Sequence, residues 1–212
     1  MKFFRRSDAS QAGSAVAPSQ RASRRSSGLQ EFKRLITTDD VLTLLDLGPT
    51  SASNINHLTG LGHKLHSEDV LDASIEPVYQ LRGADGGAAL DVERFLKENL
   101  AFGSNKFDAI LCWDIPDYLA EPLVKPMVER LHSVLKPGGM MLAFFHTRDA
   151  GPNVPYVRYH IVGNDTLGLQ PVPRFRLQRV FNNRQIETLF QGFKSLKFFL
   201  ARDYIREVLI TK

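Results

Sequence analysis

Residues 41–48 constrain the fold more than any other stretch of this chain. They form a largely apolar run in which Asp46 is the only charged residue. A segment that is apolar on both faces is typical of a central parallel strand, because helices cover both sides of such a sheet. Small turn-forming residues follow, and apolar spacing then predicts a helix over 54–61. Ligands of doubly wound sheets bind beyond the carboxyl ends of the strands, so we hypothesise a nucleoside-bearing cofactor at this turn.

Strands and helices continue to alternate along the chain. The predicted elements are a short amphipathic helix through Leu29, Phe32, Leu35 and Ile36, a second strand over 63–69 with acidic residues at its end, a buried strand over 107–114, a helix from about Glu121 to a Pro-Gly stop at 136–139, and a strand over 140–145. The alternation across 41–147 predicts parallel βαβ units with right-handed crossovers.

Residues 88–92 are the most irregular part of this pattern. We predict a third strand of the sheet there, because Ala88, Leu90 and Val92 are apolar and the turn residues around Gly86 precede them. Asp91 is then a candidate ligand residue at the end of a strand, although it is equally suited to cap a helix.

The last third of the chain changes character. Residues 148–180 are rich in Pro, Gly and Arg, and so long a connection predicts a lid or a substrate-binding segment. A helix capped by Asn182 or Asn183 and two strands over 196–200 and 205–211 follow, and their short link makes the two strands antiparallel. We therefore predict the α/β class: a doubly wound, mostly parallel sheet with helices on both faces and a C-terminal antiparallel hairpin strand.

Charge is distributed unevenly along the 212 residues. The net charge is +4, but residues 1–30 carry six basic residues and one acidic residue, which leaves the remainder near −1 with 21 basic and 22 acidic residues. We therefore predict a disordered basic tail over 1–28 and a single folded domain over 29–212. We do not expect the folded domain to bind nucleic acid, because it carries no excess positive charge. The sequence gives no indication of the oligomeric state.

Composition bounds the cellular setting. The start of the chain is positively charged but lacks the apolar core of a secretory signal, and no apolar run is long enough to cross a bilayer. The single cysteine, Cys112, excludes an intrachain disulfide and fits a reducing compartment. We expect a cytoplasmic protein in which Cys112 is a buried apolar side chain.

Asp69 lies 23 positions after Asp46, close to the spacing at which a Rossmann-type fold places an acid on the ribose hydroxyls. An acidic loop or a helix cap explains the same spacing equally well. Both interpretations of Asp69 stay open on the sequence alone.

The pattern as a whole resembles the class I S-adenosylmethionine-dependent methyltransferases. The resemblance covers residues from about 35 to 212 and is carried by residues 44–48, Asp69, residues 107–111 and residues 135–140. It implies S-adenosylmethionine as cofactor, with Asp46, Gly48 and Thr50 facing its amino acid portion, Asp69 on the ribose, Asp91 near the adenine and Trp113 beside the transferred methyl. A sulfonium is a good leaving group, so orientation of the nucleophile carries much of the catalysis.

Three residues near the predicted methyl position are candidates for catalysis. Asp114 and Tyr118 follow the strand over 107–114, and His146 ends the next strand. We expect Asp114 and Tyr118 to orient a nucleophile, or simply to close their loop, and His146 to position a group rather than to act as a base. His63 and His66 lie three apart without further ligand motifs, so we predict no metal site.

The turn after Gly48 departs from the family pattern. Thr50 and Ala52 replace the glycines that usually follow, and Pro49 removes a backbone donor. The predicted function is a methyltransferase acting on a small molecule, which the arginines of 148–180 suggest is anionic. The alternative is a non-catalytic methyltransferase-like domain that serves as a binding or scaffold module.

Overall fold

A computed structural model describes residues 22–49, 51–82, 88–151, 153–200 and 203–212. The strands are β1 (Ala22–Arg25), β2 (Thr43–Asp46), β3 (Lys64–Ser67), β4 (Gln80–Arg82), β5 (Ala88–Leu90), β6 (Phe107–Trp113), β7 (Leu135–His146), β8 (Pro155–Ile161), β9 (Thr166–Arg176), β10 (Ser195–Phe199) and β11 (Ile205–Thr211). The helices are α1 (Ser27–Ile36), α2 (Ala52–Gly60), α3 (Val70–Ser74), α4 (Val92–Asn99), α5 (Ile115–Tyr118), α6 (Glu121–Val134) and α7 (Asn183–Leu189).

A six-stranded sheet forms the centre of the molecule. Its order is β10–β11–β7–β6–β2–β3, in which β3, β2, β6 and β7 pair in parallel. Strand β11 pairs antiparallel with both β7 and β10. This arrangement confirms the predicted fold class, including the antiparallel hairpin at the C-terminus.

The two faces of the sheet bury separate apolar clusters. Leu45 and Leu47 point to one cluster, where α3, α4, α6 and α7 pack, whereas Leu44 points to the other, beneath α1, α2 and the β8–β9 hairpin. Strand β6 divides in the same way, with Ile110 in the first cluster and Leu111 in the second. Successive side chains of a strand face opposite sides, so two covered faces require the continuous apolar run of residues 41–48.

The prediction that residues 88–92 form a third strand of the central sheet is wrong. Strand β5 pairs with β4 in a separate two-stranded hairpin, and the central sheet ends at β3. A run of only three residues pairs most readily with its near neighbour in sequence, because closing a short loop costs little entropy. Asp91 caps α4 by accepting a hydrogen bond from the backbone N of Arg94 at 3.1 Å, so the capping interpretation is confirmed.

The segment over 148–180 contains regular structure that the sequence pattern did not indicate. Strands β8 and β9 form an antiparallel hairpin, and β1 pairs with β9 on its other side. Prolines are tolerated near strand ends and at irregular register, which explains how Pro155 belongs to β8. The resulting three-stranded sheet covers α2 and the end of β6.

The predicted boundary between the tail and the folded domain, at residue 28, lies too late in the chain. Residues 22–25 form β1, and Ser26 caps α1 by accepting from the backbone N of Leu29 at 3.0 Å. Arg24 is buried and pairs with the buried carboxylate of Glu207, so a residue of the expected tail belongs to the core. Residues 1–21 lie outside the described residues. Within the described part of the chain, no helix is both long and apolar enough to cross a membrane.

Candidate active site

Strands β2, β3, β6 and β7 end at one edge of the sheet, as parallel strands must. Asp46 ends β2, Trp113 ends β6 and His146 ends β7. The indole Nε1 of Trp113 donates to Asp46 Oδ1 at 2.6 Å, and its ring covers Gly48, where an added Cβ would lie 3.3 Å from Trp113 Cδ1. The predicted residues Asp46, Gly48 and Trp113 are thus brought together.

Asp46 is a buried carboxylate with both oxygens bonded. Asn54 Nδ2 donates to its second oxygen at 2.9 Å, opposite the bond from Trp113. Burial raises the pKa of Asp46 to about 6, and the two hydrogen bonds oppose that rise because they stabilise the anion. Asp46 therefore anchors the turn and the indole to each other.

The polar residues after the turn bond to the β8–β9 hairpin. Asn54 Oδ1 accepts from the backbone N of Ile161 at 2.8 Å, and Ser51 Oγ lies 2.8 Å from His160 Nδ1. Ser53 Oγ donates to the backbone O of Ile161. The side chains that follow the altered glycine turn thus fasten it to the hairpin, and Thr50 lies outside the described residues.

Asp69 caps α3 and keeps one oxygen available. Its Oδ1 accepts from the backbone N of Asp72 at 3.1 Å, while Oδ2 has no hydrogen-bond partner within the described ranges. Burial raises the pKa of Asp69, and Arg158 and Arg174 of the hairpin oppose that rise by attraction. A helix cap is confirmed, and the free oxygen leaves a ribose-binding role open.

A second cluster of buried ionisable groups lies between the ends of β6 and β7. His146 donates from its backbone N and from Nδ1 to Asp117 Oδ2, at 2.6 and 2.9 Å. The ring of Tyr118 packs edge-on against His146 with centroids 5.7 Å apart. Asp114 Oδ2 accepts from the hydroxyl of Tyr159 at 2.9 Å. All three catalytic candidates, Asp114, Tyr118 and His146, therefore lie in one cluster.

Burial sets the charge of this cluster. It raises the pKa of Asp114 to about 7, with His146 opposing and Asp117 adding to the rise. The pKa of Asp117 is also raised by burial, against its bonds from His146. For His146, burial favours the neutral ring, but the bond to Asp117 and the nearby Asp114 outweigh it and raise the pKa. Oδ1 of Asp114 and Oδ1 of Asp117 are buried without a partner among the described side chains.

Two members of the cluster escaped sequence reasoning. Asp117 lies in the loop that was predicted beside the methyl position, but its bond to His146 joins residues 29 apart in sequence. Tyr159 belongs to a hairpin whose strands were not predicted. The only signal available was the Asp-x-x-Asp spacing of 114 and 117, which is common by chance.

The remaining candidates have structural roles. His63 is buried, with Nε2 2.8 Å from the backbone O of Ile36 and Nδ1 accepting from the backbone N of Leu42. Cys112 is buried in the core, where burial raises the pKa of its thiol. The described residues contain no group of three or more His, Cys, Asp or Glu side chains arranged to bind a metal ion.

The edge of the sheet fits a nucleoside cofactor in its donor set. Asp69 offers an unpartnered carboxylate oxygen after β3, and at the end of β2 the indole of Trp113 occupies the space beside Gly48. A ligand at Gly48 would therefore contact this aromatic ring.

Known proteins with similar sequences cover part of this chain. A ubiquinone biosynthesis O-methyltransferase of Cereibacter sphaeroides is 30% identical over 101 residues, which are 48% of this chain and 40% of the relative. One from Ruegeria pomeroyi is 27% identical over 115 residues, 53% of this chain and 45% of the relative. The similarity thus spans less than half the length of these relatives. No family model matches the chain.

Solved structures share the fold at low sequence identity. The PH0226 protein of Pyrococcus horikoshii superposes with a TM-score of 0.51 at 12% identity, covering 86% of this chain and 88% of that one. A SAM-dependent methyltransferase of Archaeoglobus fulgidus gives 0.50 at 9% identity, with 87% and 92% covered. The fold is therefore the Rossmann-like methyltransferase fold. Both sequence relatives and the neighbour from Archaeoglobus fulgidus are named as methyltransferases.

Proposed function

We propose that this chain is an S-adenosylmethionine-dependent methyltransferase that acts on a small molecule. The observation that carries the proposal is the buried Asp117–His146 pair at the carboxyl edge of the sheet, beside Trp113 and Asp114 and on the edge that also holds Gly48 and Asp69. Perturbed ionisable groups at a sheet edge that binds ligands are a mark of an active site. The names of the sequence relatives support an O–H group as the acceptor.

Each residue at the edge would have a distinct task. Asp69 would accept hydrogen bonds from the ribose hydroxyls, and the amino acid portion of the cofactor would lie at Gly48, where Trp113 packs in this structure. Bound S-adenosylmethionine supplies an electrophilic methyl group. His146 would take the proton of the acceptor hydroxyl at Nε2, which has no hydrogen-bond partner in the described part of the chain, while Asp117 holds the ring through Nδ1.

The hairpin bears on the charge of the acceptor. Arg158 has a buried Nε without a partner among the residues described. An unpaired buried donor is costly unless a ligand satisfies it. This supports an acceptor with an anionic group, which Arg158 would bind.

Replacing Asp69 by alanine is expected to weaken cofactor binding about tenfold, close to 1.4 kcal/mol, because the ribose hydroxyls lose their acceptor. Isothermal titration with S-adenosylhomocysteine measures the effect. Asp72→Ala is the matched control, since it removes a carboxylate of the same helix but leaves the backbone N that Asp69 accepts from. Absence of binding by the folded wild-type protein, and also by the variants Tyr159→Phe and Tyr159→Leu, would contradict the proposed function.

Replacing His146 by glutamine is expected to lower methyl transfer about 100-fold while S-adenosylhomocysteine affinity stays within about twofold. The rate is measured by transfer of labelled methyl to an acceptor found by screening small hydroxyl compounds. Asp117→Asn is expected to shift the acidic limb of the pH–rate profile to lower pH, because His146 loses the carboxylate that raises its pKa. An unshifted profile would argue against the pair.

A further inference from the structure

The rings of Trp113 and Tyr159 form a buried stack at the ligand-binding edge of the sheet. Their centroids are 5.2 Å apart and their planes differ by 15°. Trp113 is 2% exposed and Tyr159 is 3% exposed, and Phe144 packs edge-on against both. The stack is thus a closed aromatic contact between the central sheet and the hairpin.

The stack lies where a cofactor would approach the backbone. Trp113 contacts Gly48 and bonds to Asp46, so its indole covers the end of β2. Trp113 also has a φ of +52°, a left-handed conformation that is uncommon for a bulky residue. That conformation turns the chain at the end of β6, next to Asp114.

Hydrogen bonds hold the hairpin over this edge. Tyr159 donates to Asp114 Oδ2 at 2.9 Å, and its backbone O accepts from Asn54 Nδ2 at 3.2 Å. The backbone N of Ile161 donates to Asn54 Oδ1. These contacts fasten one face of β8 to the turn after β2 and to the acidic cluster.

The ends of the hairpin differ in how they are held. Before β8, Gly151 has a φ of +81°, a conformation that glycine adopts without strain. After β9, the backbone N atoms of Gln178 and Arg179 both donate to the backbone O of Asp117, at 2.9 and 3.2 Å. The second end of the hairpin is therefore tied to the loop after β6, and β1 pairs with β9 along its other side.

We propose that Trp113 and Tyr159 form a gate that closes the cofactor cleft, and that cofactor binding separates the two rings. The inference rests on the proposed function, because it assigns the cleft to S-adenosylmethionine. Only open molecules bind the cofactor, so the apparent affinity equals the intrinsic affinity multiplied by the fraction of molecules that are open. Loss of the Tyr159–Asp114 bond raises that fraction.

The chain provides its own reporter, since Trp113 is the single tryptophan. Titration of the full-length protein with S-adenosylhomocysteine is expected to change the intensity and wavelength of Trp113 emission in parallel with the heat of binding. Tyr159→Phe keeps the ring but loses the bond to Asp114, and is expected to bind about tenfold more tightly. Tyr156→Phe is the matched control on the same strand, because the Tyr156 ring packs on Tyr118 and Phe175 instead.

The outcomes separate the gate from the enzyme. Binding with unchanged emission, together with affinity of Tyr159→Phe within twofold of the wild type, would overturn the gate and leave the methyltransferase proposal intact. Binding by Tyr159→Leu when the wild type shows none would support the gate in its strongest form. No binding by the wild type, Tyr159→Phe and Tyr159→Leu, all folded by circular dichroism, would overturn both proposals.

Discussion

Replacing Arg24 by methionine is expected to destabilise the protein by about 3–5 kcal/mol, because it leaves a buried carboxylate without its partner. Arg24 Nη2 donates to Glu207 Oε1 at 2.6 Å, and both side chains are almost fully buried. The guanidinium also pairs with Asp203 and lies 5.3 Å from the centroid of the Phe144 ring. Glu207 Oε2 accepts from the backbone N of Gly28 at 2.6 Å, so the pair ties the start of α1 to β11.

Urea denaturation followed by circular dichroism measures this loss. Arg25→Met is the matched control one position away, because Arg25 is exposed and its ion pair with Asp165 lies at the surface. We expect it to change the free energy of unfolding by less than about 1 kcal/mol. The double variant Arg24→Met/Glu207→Met should lose less than the sum of the single changes. A loss below about 1 kcal/mol for Arg24→Met would mean that β1 is not part of the stable core.

Replacing Asp114 by asparagine is expected to change how stability depends on pH. The folded protein keeps the proton of Asp114 up to about pH 7, since burial raises the pKa to about 7 from the model-compound value of 3.8. The unfolded chain releases that proton first, so the contribution of Asp114 to stability falls as pH rises between these two values. Asparagine does not titrate, so the stability of Asp114→Asn lacks this decrease with rising pH.

Relative to the wild type, Asp114→Asn is expected to gain about 3 kcal/mol of stability between pH 5 and pH 8. Chemical denaturation of both proteins at a series of pH values measures the difference. His146 and Asp117 remain in both proteins, but they interact with Asp114, so the difference reports the coupled titration of the cluster. Asp40→Asn, which replaces an exposed carboxyl, should run parallel to the wild type. A constant difference between Asp114→Asn and the wild type would show that Asp114 is ionised throughout.

Arg24 and Asp114 both help to hold the three-stranded sheet of β1, β8 and β9 against the central sheet. Arg24 fastens β1, which pairs with β9, and Asp114 accepts from Tyr159 of β8. The attachment of the three-stranded sheet to the central sheet therefore depends on buried polar contacts. Loss of one partner of such a contact costs free energy, so the three-stranded sheet is sensitive to single substitutions.

The position of several residues at the carboxyl edge could be predicted because they follow a strand of the parallel sheet. The apolar runs before Asp46 and Asp114 identified β2 and β6, and the run before His146 identified β7. Strands that pair in parallel end at a common edge, so these residues meet there without further information. The strand predicted before Asp91 does not join the central sheet, because residues 88–90 pair with β4 instead.

The sequence by itself determined strands β2, β3, β6 and β7 of the central sheet, its C-terminal hairpin and the residues at its carboxyl edge, because these depend on periodicity and on position at the end of a strand. Only the tertiary structure decided that Arg24 is a core residue, that Asp117 holds His146 and that Tyr159 stacks on Trp113. Each of these contacts joins residues far apart in the chain. Their energies come from burial and from the polar partner found there, which no local pattern of residues encodes.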